Sequence, residues 1–318
     1  MKPPYEISSK ILNLTASISE KIGEIKSANL FQPQTKLRKS NRIKTIQSSL
    51  AIEGNTLSIE QITDLLNNKR VLAPQKDILE VKNAIEVYSI LEKFASLELS
   101  SLCKAHEILM NNLIDNPGKL RTSSVGIFKG NEITHLAPPG KMVHSLLNQL
   151  FDYLKNDPDL ILIKSCVFHY EFEFIHPFLD GNGRMGRLWQ TVILREYSPI
   201  FEFLPIETII KERQNEYYNV LEKSDNNGNS TVFIEFMLEI IQDSLEELLK
   251  SPNTKITPID RINNFKEIIG TQYFSRKDYL RANKRISSAT ASRDLRFAVE
   301  KGILEMEGEK RMAKYQFI

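Results

Sequence analysis

The chain has 318 residues, of which 41% are hydrophobic and 26% charged, with 13 glycines and 13 prolines. This composition excludes a disordered, collagen-like or low-complexity protein, and the length favours two domains. The two cysteines, Cys103 and Cys166, exclude a disulfide framework and favour a reducing compartment. No stretch approaches 18 apolar residues, and the first ten residues lack a signal-peptide core. We therefore expect a soluble, cytoplasmic protein with no membrane partner.

Positive charge is concentrated near the C-terminal end. Residues 263–318 contain 12 Lys or Arg against 7 Asp or Glu, a net charge of +5. The other 262 residues contain 30 against 33, a net charge of −3. If any part of the chain meets nucleic acid, this basic segment is the candidate.

Apolar spacing predicts a mainly α-helical chain as far as residue 250. Residues 1–96 carry several stripes of apolar residues at a 3.6-residue period, and Ser58 is expected to cap a helix at Ile59–Asn68. The helices expected further along are Pro158–Phe174, Met185–Glu196, Glu207–Lys223 and Thr231–Lys250.

One β-hairpin is expected inside this helical region. Val125–Phe128 and Glu132–Leu136 are two short runs separated by Lys129-Gly130-Asn131, and Asn and Gly are typical of hairpin turns. The hairpin falls within a longer irregular stretch, residues 116–140, which separates two helices.

A small second domain is expected at the C-terminal end. Two prolines and the lack of an apolar period predict a linker at residues 251–262. Three helices followed by two strands then predict a winged helix-turn-helix at residues 263–318. The elements are the helices Arg261–Ile269, Ser275–Arg281 and Ser288–Lys301 and the strands Ile303–Met306 and Arg311–Phe317.

Two functions stay open for this winged helix. It is either a DNA-binding module or a surface for target recognition or dimerisation. Arg293 and Arg296, three residues apart on the expected recognition helix, favour contact with DNA phosphates. The basic residues expected next to that helix and at the wing are Lys284, Arg285, Lys310 and Arg311.

The most informative motif in the chain is HPFLDGNGRMGR. Gly181, Asn182 and Gly183 are expected where a tight loop enters a helix, so that their amides can approach and bind an anion. Arg184 and Arg187 are three residues apart and project from one face of the same helix. These five residues predict a phosphate cradle.

The same motif supplies a metal ligand and a base. Mg²⁺ is usually bound by one or two carboxylates together with phosphate oxygens, and Asp180 fits that pattern. His176 has the side chain best suited to act as a general base near neutral pH. The combination predicts phosphate-ester chemistry. The chain contains neither a Walker A pattern nor the glycine-rich loop of a kinase.

The motif matches every fixed position of the Fic pattern HxFx(D/E)GNGRxxR, and the match extends through HYEFEFI before it and THLAPP at residues 134–139. The chain therefore resembles the Fic family over at least residues 97–245. The resemblance implies a mainly α-helical core with a β-hairpin flap, residues 97–250. It also implies a protein adenylyltransferase, which transfers AMP from ATP to a hydroxyl side chain of a target protein.

The resemblance also assigns roles within the motif. His176 would deprotonate the target hydroxyl, and Asp180 would hold Mg²⁺. The amides of residues 181–183 would bind the phosphates, with Asn182 helping to fix their pose. Arg184 and Arg187 would neutralise the β- and γ-phosphates.

Outside the motif, the resemblance implies contacts to the target and to the adenosine. The hairpin would act as a flap that pairs with the target backbone by strand addition. Tyr217 and Asp225 fall where the family contacts adenosine. The flap residues are Val125, Gly126, Ile127 and Phe128.

A second motif, SLAIEGN at residues 49–55, matches the inhibitory-helix pattern (S/T)xxxE(G/N) of Fic proteins. The resemblance implies that Glu53 pairs with Arg187 through a bidentate carboxylate–guanidinium contact and so misaligns ATP. The same Glu53 is suited to orient water for the reverse reaction, removal of AMP from a modified protein.

Three alternatives remain at this stage: removal of AMP, transfer of another nucleotide, and DNA-binding regulation through the winged helix. The expected partners are ATP and a target protein with an exposed hydroxyl, and modification of the protein itself stays open. DNA and a homodimer stay open.

Overall fold

The computed structural model describes residues 2–27, 35–129, 132–250, 257–283, 286–308 and 313–318. The chain forms two compact units, one of residues 1–31 and 40–250 and the other of residues 32–39 and 251–318. No helix in the described ranges has both the length and the apolar character needed to cross a bilayer. The helices of the first 250 residues are α1 Ser9–Ser27, α2 Thr35–Ile52, α3 Ile59–Leu66, α4 Gln75–Ser89, α5 Leu99–Leu109, α6 Gly140–Asn156, α7 Ile161–Ile175, α8 Asn182–Tyr197, α9 Ile206–Glu212, α10 Gln214–Asn227 and α11 Thr231–Lys250.

Helices α7 and α8 form the centre of the first unit. Ten of the 15 residues of α7 and 12 of the 16 residues of α8 are buried, so both helices are enclosed nearly all round. This burial explains why α7 reads as an almost continuous apolar run in the sequence. The loop between the two helices, which carries the HPFLDGNGRMGR motif, is therefore held by rigid elements at both ends.

The single helix predicted at Glu207–Lys223 is wrong. The structure has two helices there, α9 and α10, because the backbone of Arg213 leaves the helical region with φ −104° and ψ 30°. Arg213 donates hydrogen bonds to Glu216 and Glu239 at 2.8 and 3.1 Å. Apolar periodicity alone did not reveal a break held by polar contacts.

The hairpin consists of β1 Gly126–Lys129 and β2 Glu132–Leu136, paired antiparallel with a bulge between Ile127 and Phe128. In the described part of the chain, β1 pairs with β2 alone, so its other edge is open. The predicted turn residues Gly130 and Asn131 lie outside the described residues, as do the side chains of Ile127 and Phe128.

Among its described residues from 257 onward, the second unit contains three helices and a three-stranded antiparallel sheet in the order β3-β5-β4. Its first helix begins at Pro258, where Thr257 and Asp260 form a capping box, so the predicted linker extends too far into the helix. Arg261 forms a salt bridge with buried Asp294 at 2.6 Å, which ties the first helix to the third. The elements are α12 Pro258–Ile269, β3 Phe274–Ser275, α13 Arg276–Ala282, α14 Ser288–Glu300, β4 Leu304–Glu307 and β5 Lys314–Phe317.

The DNA-contact prediction is only partly covered by the described residues. Arg293 and Arg296 are exposed on α14. The other basic residues named for this contact, Lys284, Arg285, Lys310 and Arg311, lie outside the described residues.

Candidate phosphate-transfer site

His176 lies at the C-terminal end of α7, in the left-handed backbone conformation with φ 49° and ψ 62°. Its amide donates to the carbonyl of Phe172 at 3.0 Å, which completes the last turn of the helix. A non-glycine residue in this conformation is strained by roughly 1–2 kcal/mol, so surrounding contacts must hold it there. This backbone conformation places the predicted base at the start of the loop instead of inside the helix.

His106, which no sequence motif marks, holds the loop in place through a ring stack and two hydrogen bonds. Its ring stacks on buried Phe178 with ring centroids 3.6 Å apart. Its Nδ1 accepts a hydrogen bond from the Gly118 amide at 2.8 Å, which leaves Nε2 to donate to the Asp180 carbonyl at 3.0 Å. Burial lowers the pKa of His106 to about 4, so the ring stays neutral in this network.

The side chain of Asn182 forms hydrogen bonds within the loop. Its side-chain oxygen accepts from the Phe178 amide and its side-chain amide donates to the Phe178 carbonyl, both at 2.9 Å. Only 2% of Asn182 is exposed, so its side chain braces the loop in this structure. Its predicted help in fixing the phosphates stays a prediction. Gly181 has φ 83°, and a Cβ there would lie 2.7 Å from Sδ of Met110.

Arg184 is 5% exposed and is held by two carboxylates. Its Nη1 donates to Glu80 at 3.1 Å and its Nη2 donates to Asp180 at 3.0 Å. Glu80, on α4, also accepts from the side-chain amide of Asn55 at 2.8 Å. The sequence analysis missed Glu80 because no motif marks it. Its contacts brace Arg184 and connect it to Asn55, the last residue of the SLAIEGN motif.

Arg187 is 2% exposed and is held by the end of α2. Its Nη2 donates to Glu53 Oε1 at 2.8 Å and to the Ser49 carbonyl at 2.9 Å, and its Nε donates to the Ser49 hydroxyl at 3.2 Å. The predicted bidentate contact is therefore wrong: one oxygen of Glu53 binds one nitrogen, and Ser49 takes the rest of the fork. Burial alone would lower the pKa of Arg187, but the charge of Glu53 raises it.

Glu53 also fills space beside the first turn of α8. A Cβ added to Gly183 would overlap the Glu53 carboxylate and would lie 3.2 Å from Nη1 of Arg187. The N-terminal turn of a helix favours an anion because its backbone amides have no helical acceptors. The Glu53 carboxylate lies beside this turn, whose amides are predicted to bind phosphates.

Tyr217 is buried and Asp225 is half-buried in this structure. Tyr217 is 1% exposed, and its hydroxyl lies 3.1 Å from Nε2 of buried His169. Asp225 accepts a hydrogen bond from the Tyr170 hydroxyl at 2.8 Å. Adenosine contact by these two residues stays a prediction. Tyr218, the neighbour of Tyr217, is 44% exposed.

The residues around Asp180 fit Mg²⁺ only as a partner of bound phosphates. Within the described ranges, no three His, Cys, Asp or Glu side chains form a metal cluster. The Asp180 side chain is 52% exposed and offers a single carboxylate. Mg²⁺ is commonly held this way, with the remaining ligands supplied by phosphate oxygens and water.

Comparison with known proteins gives a consistent result. A sequence profile described as the Fic/DOC family matches residues 96–194. The crystal structure of a Fic family protein from Desulfovibrio desulfuricans G20 is 40% identical, with a TM-score of 0.77 over 100% of this chain and 98% of that one. A structure from Bacteroides thetaiotaomicron, described as a Fic domain containing signaling protein, is 19% identical with a TM-score of 0.60 and shares the fold.

Relatives that are named as adenylyltransferases are less similar to this chain than the Desulfovibrio protein. "Protein adenylyltransferase Fic" of Nematostella vectensis is 26% identical over 266 residues, which cover 79% of this chain and 59% of the relative. "Probable protein adenylyltransferase" of Aquifex aeolicus (strain VF5) is 27% identical over 73% of this chain and 76% of the relative. The chain spans about half the length of the animal relatives that it matches.

Proposed function

Because the chain belongs to the Fic family, we propose that it is a protein adenylyltransferase, which transfers AMP from ATP to a Ser, Thr or Tyr hydroxyl of a target protein. One observation carries the proposal. The α7–α8 junction places His176 at the end of one buried helix and Arg184 and Arg187 on the first turns of the next.

His176 takes the proton of the target hydroxyl as the general base. The hydroxyl oxygen then forms a bond to the α-phosphorus, the bond from that phosphorus to the bridging oxygen breaks, and pyrophosphate leaves. A positioned base contributes roughly 10²–10⁴-fold to such a step. The αL backbone of His176 turns the residue out of α7 toward the loop where the acceptor must arrive.

The phosphates of ATP bind at the first turn of α8. The amides of residues 181–183 face the anion, and Arg184 and Arg187 neutralise the β- and γ-phosphates. Asp180 would hold Mg²⁺ against the phosphate oxygens, where the ion supplies charge neutralisation of the pyrophosphate leaving group. Glu80 limits the movement of Arg184, because it binds Nη1 of the guanidinium while Asp180 binds Nη2.

Glu53 inhibits the forward reaction. Its carboxylate competes with the γ-phosphate for Arg187 and for the space beside Gly183. ATP bound with Glu53 in place has its α-phosphate out of line with the acceptor, and a misplacement of about 1 Å can cost ~100-fold in rate.

The test is transfer of label from ATP labelled at the α-phosphate, with Mg²⁺, to the protein itself and to proteins of a cell lysate. Glu53→Gly is expected to incorporate more label than the wild type, and His176→Ala in the Glu53→Gly background is expected to incorporate none. Thr191→Ala, a substitution in the buried part of α8 outside the motif, is the control for general damage to the helix. Equal labelling with and without His176 would contradict the assignment of the base.

Two related activities are distinguished by the same assay. Label from another nucleotide, with none from ATP, would assign a different nucleotide to this site. Release of AMP from a pre-adenylylated lysate by the wild type, lost in Glu53→Gly, would assign the reverse reaction with Glu53 orienting the water.

A second candidate function concerns residues 257–318, which we propose form a winged helix-turn-helix. The exposed pair Arg293 and Arg296 on α14 favours contact with DNA phosphates. Binding of the full chain to duplex DNA should then weaken as salt rises, and the double substitution of both arginines by Gln should reduce that salt dependence by about two counterions. A salt dependence that is unchanged by this substitution would contradict contact between these arginines and DNA, and no DNA binding by the wild type would leave the unit as a protein-recognition surface. We propose the cytoplasm as the location of the protein.

A further inference from the structure

Arg121 is a buried arginine that carries no part of the proposed mechanism. Only 3% of the residue is exposed. In the described part of the chain, no carboxylate lies within salt-bridge distance of it, and each of its hydrogen bonds goes to a backbone carbonyl. A buried charge that is satisfied by carbonyl oxygens alone fixes several backbone segments at once, because removing it would leave each of them without a donor.

Three of its contacts go to consecutive residues at the end of α7. The Arg121 amide donates to the Pro177 carbonyl at 2.9 Å. The guanidinium donates through Nε to the His176 carbonyl at 2.6 Å and through Nη2 to the Ile175 carbonyl at 2.9 Å. The last carbonyls of a helix have no intrahelical donors, and a cation near them is favoured by the helix dipole. Arg121 thus caps α7 where His176 adopts its strained conformation.

The other contacts go to the two ends of the hairpin. Nη1 donates to the Ser123 carbonyl, which precedes β1, at 2.6 Å. Nη2 donates to the Pro138 carbonyl, which follows β2, at 2.7 Å. One side chain therefore binds both ends of the hairpin and the end of the helix that carries the base.

Close packing at Gly140 also fixes the ends of the hairpin, which together with the end of α7 form a joint. A Cβ added to Gly140 would lie 2.1 Å from the Thr122 carbonyl oxygen and 2.7 Å from the Ser123 amide nitrogen. The first residue of α6 and the segment before β1 are thus in contact without room for a methyl group. This contact and the hydrogen bonds of Arg121 are independent evidence that the segments at the two ends of the hairpin are held rigidly.

We propose that Arg121 is a positioning residue that sets the hairpin relative to His176, so that a target segment added to the open edge of β1 presents its hydroxyl to the base. The proposal rests on the proposed function, since it assigns the hairpin as the docking edge for a target protein. Arg121 touches neither nucleotide nor acceptor; it acts through the backbone of residues 175–177 and through the two ends of the hairpin.

Lysine is the discriminating substitution. Arginine presents donors on three nitrogens in a fixed plane, and Arg121 uses all three, whereas lysine carries its donors on one atom and cannot reach four carbonyls. Arg121→Lys therefore keeps the charge and removes the joint. Arg195→Lys is the matched control, because Arg195 lies on α8 in the same unit and binds Glu202 at 2.9 Å away from the hairpin.

The first measurement is kinetic, in the Glu53→Gly background. Arg121→Lys is expected to lower AMP transfer to protein by 10- to 100-fold, while the Kd for a non-hydrolysable ATP analogue changes less than 2-fold. Arg195→Lys should leave both unchanged. Unchanged transfer in Arg121→Lys overturns the proposal, and so does a loss of transfer that is matched by an equal loss of nucleotide affinity.

The second measurement does not depend on activity. Hydrogen–deuterium exchange in Arg121→Lys is expected to accelerate at the amides of residues 122–129, 132–137, 176 and 178–183, with no change in α11. Exchange that is unchanged at the hairpin overturns the proposal. If Arg121→Lys does not fold, Gly140→Ala tests the same joint, because it displaces the hairpin base without altering Arg121 or His176. If the Glu53→Gly parent transfers no AMP, the proposed function fails, whereas the exchange result still decides whether Arg121 holds the joint.

Discussion

The two arginines of the motif lie three residues apart on one helix, and each is paired with a carboxylate from the N-terminal region, yet the two pairs differ. Arg184 binds Glu80, whose side chain is 9% exposed and which also accepts from Asn55. Arg187 binds Glu53, whose side chain is 32% exposed. Glu80 lies within α4, whereas Glu53 follows the end of α2 and precedes Gly54, which has φ 92°.

The difference in burial and bonding indicates which carboxylate can be displaced from its arginine. A carboxylate that is buried and bound on both oxygens loses much by moving, because two polar groups would remain without partners. A partly exposed carboxylate at a helix terminus can exchange its arginine for water and rotate on a flexible glycine hinge. We expect Glu80 to stay with Arg184 when nucleotide binds and Glu53 to be displaced.

The largest effect is expected for Glu80→Ala. It leaves Arg184 buried with Asp180 as its remaining carboxylate, which should lower the free energy of unfolding by about 3–5 kcal/mol. Urea denaturation followed by circular dichroism measures the change. Glu53→Ala is the matched variant and should cost less than Glu80→Ala, because the 32% exposure of Glu53 lets water take its place and Ser49 still accepts from Nε and Nη2 of Arg187. Similar losses in the two variants would remove the distinction between a fixed and a releasable pair.

A pH effect of nearly that size is expected from Glu207, a buried carboxyl group that feels the charge of Arg187. It is fully buried, the Tyr88 hydroxyl donates to it at 3.3 Å, and burial raises its pKa to about 7. Because the unfolded chain loses this proton near its ordinary pKa of about 4.5, the native state holds more protons between these values. Its contribution to stability is therefore complete below pH ~4.5 and is lost as the pH rises to about 7.

That loss amounts to roughly 3 kcal/mol. Denaturation of wild type and Glu207→Gln at several pH values between 4.5 and 8 measures it as the difference between the two curves. A constant difference would show that Glu207 ionises alike in both states. The result sharpens the comparison of the two arginines, because it reports whether Glu207 is charged at neutral pH and so adds a second negative charge near Arg187.

Removal of the releasable carboxylate should affect rate more than stability. Glu53→Gly is expected to raise AMP transfer by about 10- to 100-fold, because ATP can then align with the acceptor. The matched conservative variant, Glu53→Gln, keeps the size of the side chain without its charge and should give an intermediate rise. Equal rates for wild type and Glu53→Gly would contradict inhibition by this residue.

The smallest effect is expected for Ser49→Ala. It removes the hydroxyl that accepts from Nε of Arg187, while the Ser49 carbonyl still accepts from Nη2. The loss of about 1 kcal/mol from the contact between α2 and α8 should raise transfer by a few-fold. A rise as large as that of Glu53→Gly would show that the helix end, and not the carboxylate, limits the reaction.

The parts of the site that the sequence predicted are those encoded in short stretches. The motif from His176 to Arg187 is local, and residue spacing sufficed to indicate a loop between two helices and a phosphate cradle. The pairing of Glu53 with Arg187 followed from the resemblance. Its one-oxygen geometry did not, because that depends on where Ser49 lies in the folded protein.

The residues that hold the site in place were not predictable in the same way. Glu80 lies 104 positions before Arg184, and Arg121 lies 55 before His176. Nothing in their neighbourhoods distinguishes a buried, bonded charge from a solvated one, which is the usual state of Glu and Arg. His106 likewise stacks on Phe178 only because α5 and the motif loop meet in the fold. The break at Arg213 was missed for the same reason, since side chains from two helices hold it.

The left-handed backbone at His176 sets activity against stability. At φ 49° the backbone conformation favours glycine over histidine by roughly 1 kcal/mol, so the residue proposed as the base lies where a smaller residue would be less strained. His176→Gly would therefore relieve backbone strain at this position. A variant that loses the proposed base in this way need not lose the fold.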